Sequence, residues 1–147
     1  MIKTYRHPVW ILIILGVGGP LIIALMWFLY LGVYLLIESL FYATDPLRVP
    51  VDMIRQGTAI GLTFIGYLVM RSKATALFKA LLIMSPISMV VVTLIFRVSM
   101  NPWAVVLTVV ALSGLLLTAI KRSKLPWFYY VSVGLSILIS TLYAWPR

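Results

Sequence analysis

The chain contains no cysteine. Disulfides, thiolate metal sites and a cysteine nucleophile are excluded, and the redox compartment is left undetermined. Acidic residues are almost as scarce, since Glu38, Asp45 and Asp52 are the whole complement. His7 is the single histidine, and it stands before Pro8 with no second ligand near it in sequence. One histidine without cysteine supplies a zinc site or a Ser/His/Asp triad poorly, so no metal and no cofactor are expected. His7 itself reads as an interfacial residue. Gly16-Val17-Gly18-Gly19-Pro20 is rich in glycine, but no Gly-Lys-Ser/Thr follows and it is not a phosphate loop. Charged residues are 10% of 147, against about a quarter in a globular domain. A sizeable water-soluble domain has no material to be built from.

Apolar residues take the place of what is missing. They make up 63% of the chain, and the mean hydropathy is +1.12. The longest uncharged run, Val9 to Ile37, ends at Glu38. As a helix at ~1.5 Å per residue it is roughly 43 Å long, beyond the ~30 Å of a bilayer core. Lipid is the only solvent that accommodates such a run. It follows a short basic segment as a signal peptide would, but it is too long for a signal h-region and lacks a small-x-small cleavage site. It reads as an uncleaved anchor. Gly16, Gly18, Gly19 and Pro20 lie inside it and predict a kink or hinge, or else close packing against a neighbour.

Later runs give the rest of the architecture. The pattern predicts an all-α, polytopic membrane helix bundle, one transmembrane domain over 1–147, with five spans at roughly 9–43, 53–70, 74–96, 102–120 and 126–145. The second is the shortest, with Arg55 and Arg71 expected to snorkel from its ends. Ser85-Pro86 predicts a kink in the third, and Asn101-Pro102 reads as an N-cap followed by proline in the first turn of the fourth.

The net charge is +9, which in a soluble protein suggests nucleic acid. Here the cations sit in short clusters between apolar runs, so no nucleic acid partner is expected. Five spans put Lys3, Arg6, Arg71, Lys73, Lys79, Lys121, Arg122 and Lys124 on one side, and Arg48, Arg55, Arg97 and Arg147 on the other. The excess of basic residues marks the cytoplasmic side. The expectation is an integral protein of a bacterial cytoplasmic (inner) membrane, N-terminus in the cytoplasm and C-terminus outside. Four spans, with the second segment not crossing, would give the same split with both termini outside.

Few positions offer chemistry. Tyr30, Tyr34, Glu38 and Tyr42 recur every four residues and share one helical ridge. The ridge reads either as a proton or cation site, or partner anchor, centred on Glu38, or as an interfacial belt with Glu38 among headgroups. Asp45 and Asp52, with Arg48 and Arg55, form an outer polar patch that would hold a divalent ion or a phosphate, or else is a solvated loop with weak local ion pairs. Gly57 and Gly61 form a small-x-x-x-small pair, and Ser132, Ser136 and Ser140 a second small stripe. Both suit close helix packing, within the bundle or against a partner or second copy. The basic cluster at Lys121–Lys124, followed by Trp127 to Tyr130, fits anionic headgroups beside an aromatic belt.

Three functions are compatible with this pattern. The first is a non-catalytic accessory, assembly or protective protein acting by helix–helix contact with a membrane partner, with membrane lipids as its surroundings. The second is a small oligomeric proton- or cation-coupled transporter or channel using Glu38. The third, a lipid-directed enzyme, would need several converging acids or histidines, which only the outer patch begins to offer.

Overall fold

The computed structural model describes residues 8–41, 49–98 and 101–145. Within these, the chain is all-helical: α1 (Pro8–Phe41), α2 (Val51–Arg71), α3 (Ala76–Leu82), α4 (Met84–Val98), α5 (Pro102–Arg122) and α6 (Phe128–Ala144). Four stretches are long and apolar enough to cross a membrane: α1, α2, the α3–α4 pair taken together, and α5. The fifth apolar helix, α6, has 17 residues, or roughly 26 Å, a little short of a ~30 Å hydrocarbon core.

α1 is a continuous helix of 34 residues that passes through Pro20. Proline has no N–H to offer the Gly16 carbonyl. Both residues lie on the exposed side of the helix, and the buried stripe Ile11, Leu15, Gly19, Ile23, Met26 runs past them at helical spacing.

The third span is two helices meeting at Ile83. The cause lies three residues on. Pro86 cannot donate to the Leu82 carbonyl, so the ladder is interrupted there and resumes with Ile87 N–H to the Ile83 carbonyl at 3.3 Å. The irregularity that Ser85-Pro86 predicts is a break between α3 and α4 at Ile83. Thr75 caps α3 by accepting from the Phe78 N–H, and Asn101 caps α5 by accepting from the Trp103 N–H at 3.0 Å, with Pro102 beginning the helix. α5 ends with Lys124 in the left-handed region (φ 50°). Its N–H reaches the Lys121 carbonyl, and Leu125 N–H reaches that of Ile120, which is the Schellman pattern with lysine where glycine is usual.

Contacts along the helices give the topology. Gly19 meets Met84 and Gly66 meets Pro86. Trp27 meets Tyr143, Arg55 meets Phe96, and Ser88 meets Ser136. These levels are consistent with α1, α4 and α6 running in one direction and α2 in the other, and the short connections on either side of α5 turn it back antiparallel to α4 and α6. α4 is the centre of the bundle. Its residues Met84, Ser88, Met89, Val91, Val92 and Ile95 are essentially inaccessible, and every other helix touches it. α6 makes the most extensive contact with it, and α5 lies outermost with most of its surface exposed. In lipid, exposed apolar side chains carry no cost, so cohesion between helices comes from close packing.

This arrangement gathers Arg71, Lys73, Lys79, Lys121, Arg122 and Lys124 at one end of the bundle, and Glu38, Asp52, Arg55 and Arg97 at the other. The two are called the basic end and the acidic end below.

Candidate functional site

At the acidic end, α1 outruns α6. The Trp27 and Tyr143 rings lie 4.7 Å apart between centroids, and α6 stops at Ala144. The rest of α1, to Phe41, continues for roughly 21 Å. Tyr30, Tyr34 and Glu38 are half-buried along it and prolong the buried stripe of α1. The ridge read from the sequence is thus the inward-facing side of the helix, placed on the part of α1 that α6 does not reach. Tyr30 packs edge-on against Trp27, with centroids 5.7 Å apart. Tyr42, Asp45, Arg48 and His7 lie outside the described residues.

Arg55 is a cation turned into the bundle. Its side chain is 13% exposed, while that of its partner Asp52 is 76% exposed. Asp52 is in the first turn of α2 and Arg55 one turn later, so the two meet as an i, i+3 pair in which the guanidinium donates to the Asp52 carboxylate. The Arg55 guanidinium carbon lies 4.8 Å from the centre of the Phe96 ring on α4, a cation–π contact. Tyr30 lies within electrostatic reach of Arg55, Asp52, Tyr34 and Tyr143. Arg55 Nε is buried without a hydrogen-bond partner among the described residues. The guanidinium thus reaches back one turn toward the end of α2, to Asp52, and lies over Phe96 on the way. The sequence signal for this was the Asp52–Arg55 spacing, but nothing local to it points to Phe96, forty-one residues away.

The two small-residue stripes have opposite fates. Ser132, Ser136 and Ser140 are all buried, on the helix that packs most extensively against α4. Ser132 and Ser136 donate back to the carbonyls of Phe128 and Ser132, and Ser88 reaches the Ser136 carbonyl at the long limit of 3.5 Å. Ser140 Oγ is buried with no partner among the described residues. This stripe is the seam that holds α6 in place.

Gly57 and Gly61 face nothing. A Cβ added at either would meet no heavy atom within 4 Å. They line a groove of about 620 Å³ between α1 and α2, whose other walls include Leu29, Val33, Ile37 and Ile54. The Thr58 hydroxyl, also in this wall, is tied to the Ile54 carbonyl at 2.8 Å, so the groove presents an almost wholly apolar face.

The glycines of α1 divide in the same way. Gly18 and Gly19 receive Leu81 and Met84, the residues flanking the α3–α4 joint, while Gly16 opens onto free space. Among the described residues, no three His, Asp or Glu side chains come together. The acidic end therefore offers an ion pair with one buried partner, Arg55, a tyrosine-lined ridge and an open groove with a glycine floor. No family model, curated protein or solved structure matches the chain.

Proposed function

We propose that the protein is a non-catalytic membrane accessory, assembly or protective protein that acts by helix–helix contact with a membrane partner. Its contact surface is the groove between α1 and α2, and its ligand is a transmembrane helix of that partner. The observation that carries this is the bare Gly57/Gly61 face. Lipid tails are as apolar as leucine, so a membrane helix is recognised by backbones that approach closely, and adjacent small residues one turn apart permit that approach. The other small stripes in the bundle are already filled, by α4 or by side chains from the α3–α4 joint.

Gly57→Leu/Gly61→Leu tests the reading. Both positions are exposed mid-helix glycines, so the variant is expected to fold at least as well as the parent, by up to about 1 kcal/mol. Purified gently beside the parent and analysed by mass spectrometry, it is expected to lose a stoichiometric partner that the parent retains. Retention of that partner by the variant sinks the proposal. A parent recovered as a pure homo-oligomer, with a cation flux abolished by Glu38→Gln, would favour the transporter instead.

The orientation belongs to the same proposal. The basic end faces the cytoplasm of a bacterial cell, which puts the N-terminus inside and the C-terminus outside. Reporter tags at the two tails are expected to give opposite compartments, the N-terminal one cytoplasmic. Tags reporting from the same side would refute it.

A further inference from the structure

A second cleft lies on the other side of α2, against α5. It measures about 380 Å³ and is lined by apolar residues: Pro86 and Val90 of α4 form its floor, Tyr67 and Met70 of α2 one wall, and Leu112 and Leu116 of α5 the other. All belong to membrane-spanning stretches, so the cleft sits at hydrocarbon depth. Followed along α2, its wall leads straight to the basic end.

Two cations stand where it arrives, each touching a residue of the wall. The Arg71 guanidinium lies over the Tyr67 ring at 4.8 Å from its centre. Lys79, reaching across from α3, donates from Nζ to the Met70 carbonyl at 2.9 Å. Both described acids, Glu38 and Asp52, are at the opposite end, and the ion pair among the described residues is that of Asp52 with Arg55. The charge of Arg71 and Lys79 is therefore not balanced within the described bundle.

We propose that this cleft holds an anionic phospholipid, with one acyl chain lying on the Pro86 floor between α2 and α5 and the phosphate held by Arg71 and Lys79. An apolar slot that ends in two uncompensated cations matches the division of such a lipid into tail and charged head, and basic pockets between transmembrane helices bind headgroups in this way. A zwitterionic lipid has the same tail but brings its own cation, which opposes Arg71 and Lys79. The site is separate from the α1–α2 groove and does not depend on it.

The test is retention of defined lipids by the purified full-length protein, read by native mass spectrometry after exposure to phosphatidylglycerol or phosphatidylcholine of matched chains. The parent is expected to prefer phosphatidylglycerol by about fivefold for each cation engaged. Arg71→Gln/Lys79→Gln is expected to abolish the preference, and Arg71→Lys/Lys79→Arg to keep it, which separates charge from folding. Leu116→Trp, which fills the slot, is expected to lower retention of both lipids. Equal retention of the two lipids by the parent, an unchanged preference in the double glutamine variant, or undiminished retention in Leu116→Trp would each overturn the proposal.

Discussion

Ser136→Leu is expected to lift α6 from the bundle. Ser136 is completely buried, and the α4 residues of the same seam, Ser88, Met89 and Val92, are equally closed to solvent. A leucine there has no void to enter and no flexible neighbour at the surface to displace. Overpacking of this kind costs about 1–3 kcal/mol at a single site. The effect should be amplified by the length of α6. A helix of 17 residues gains little from spanning alone, and its position rests on the α4 contact. Thermal unfolding in mild detergent should show the midpoint falling in Ser136→Leu and falling further in Ser132→Leu/Ser136→Leu. Ser136→Ala removes only a hydrogen bond to the helix's own Ser132 carbonyl and should cost less than ~1 kcal/mol. Leu138→Ala, on the exposed face of α6, should lie within ~0.5 kcal/mol of the parent. A parental midpoint in Ser136→Leu would show that the serine stripe is not the seam.

Gly19→Ala should be the costliest glycine replacement in α1. Its new Cβ would stand 2.4 Å from Met84 Cε and 2.7 Å from Met84 Sδ. A methionine tip usually moves aside, but Met84 is fully buried in a cluster with Ile23, Met26, Ala59 and Met89, and has no free direction. The expected loss is about 1–3 kcal/mol. Gly16→Ala, three residues earlier, meets nothing within 4 Å and should gain about 0.5–1 kcal/mol by replacing a mid-helix glycine. Gly19→Ala/Met84→Ala relieves the collision, so a double-mutant cycle on unfolding free energies should show coupling of about 0.5–3 kcal/mol between the two positions. Additive effects would mean that Met84 does not rest on Gly19.

These two positions share a feature with Arg55. Each is a small or charged residue whose meaning depends on one distant neighbour. Arg55 lies under Phe96, Gly19 under Met84, and Ser136 against Ser88. In water such neighbours would be chosen largely by burial of apolar surface. Between membrane helices that force is absent, and the choice falls to fit.

The amino-acid sequence by itself determined what the bilayer demands of any chain. Lipid requires every backbone group to be bonded within its own segment, so apolar runs of sufficient length are helices wherever they lie in the bundle. That is why the long first helix and the capped start at Asn101-Pro102 were legible without a structure. Charge obeys an equally local rule, and the basic turns therefore gather at one end as the spacing indicates. Tertiary structure alone decided which segments touch. The serine and glycine stripes look alike in sequence, yet α4 fills one and leaves the other open, because shape complementarity between distant segments is written in neither stripe alone. The same holds for the shortest apolar span. The sequence singles out Met53–Met70, whose uncharged part lies between Arg55 and Arg71, whereas α2 extends over Val51–Arg71 and α6 is shorter. Arg55 stands near the start of α2, and only the packed bundle shows that Phe96 is there to receive it.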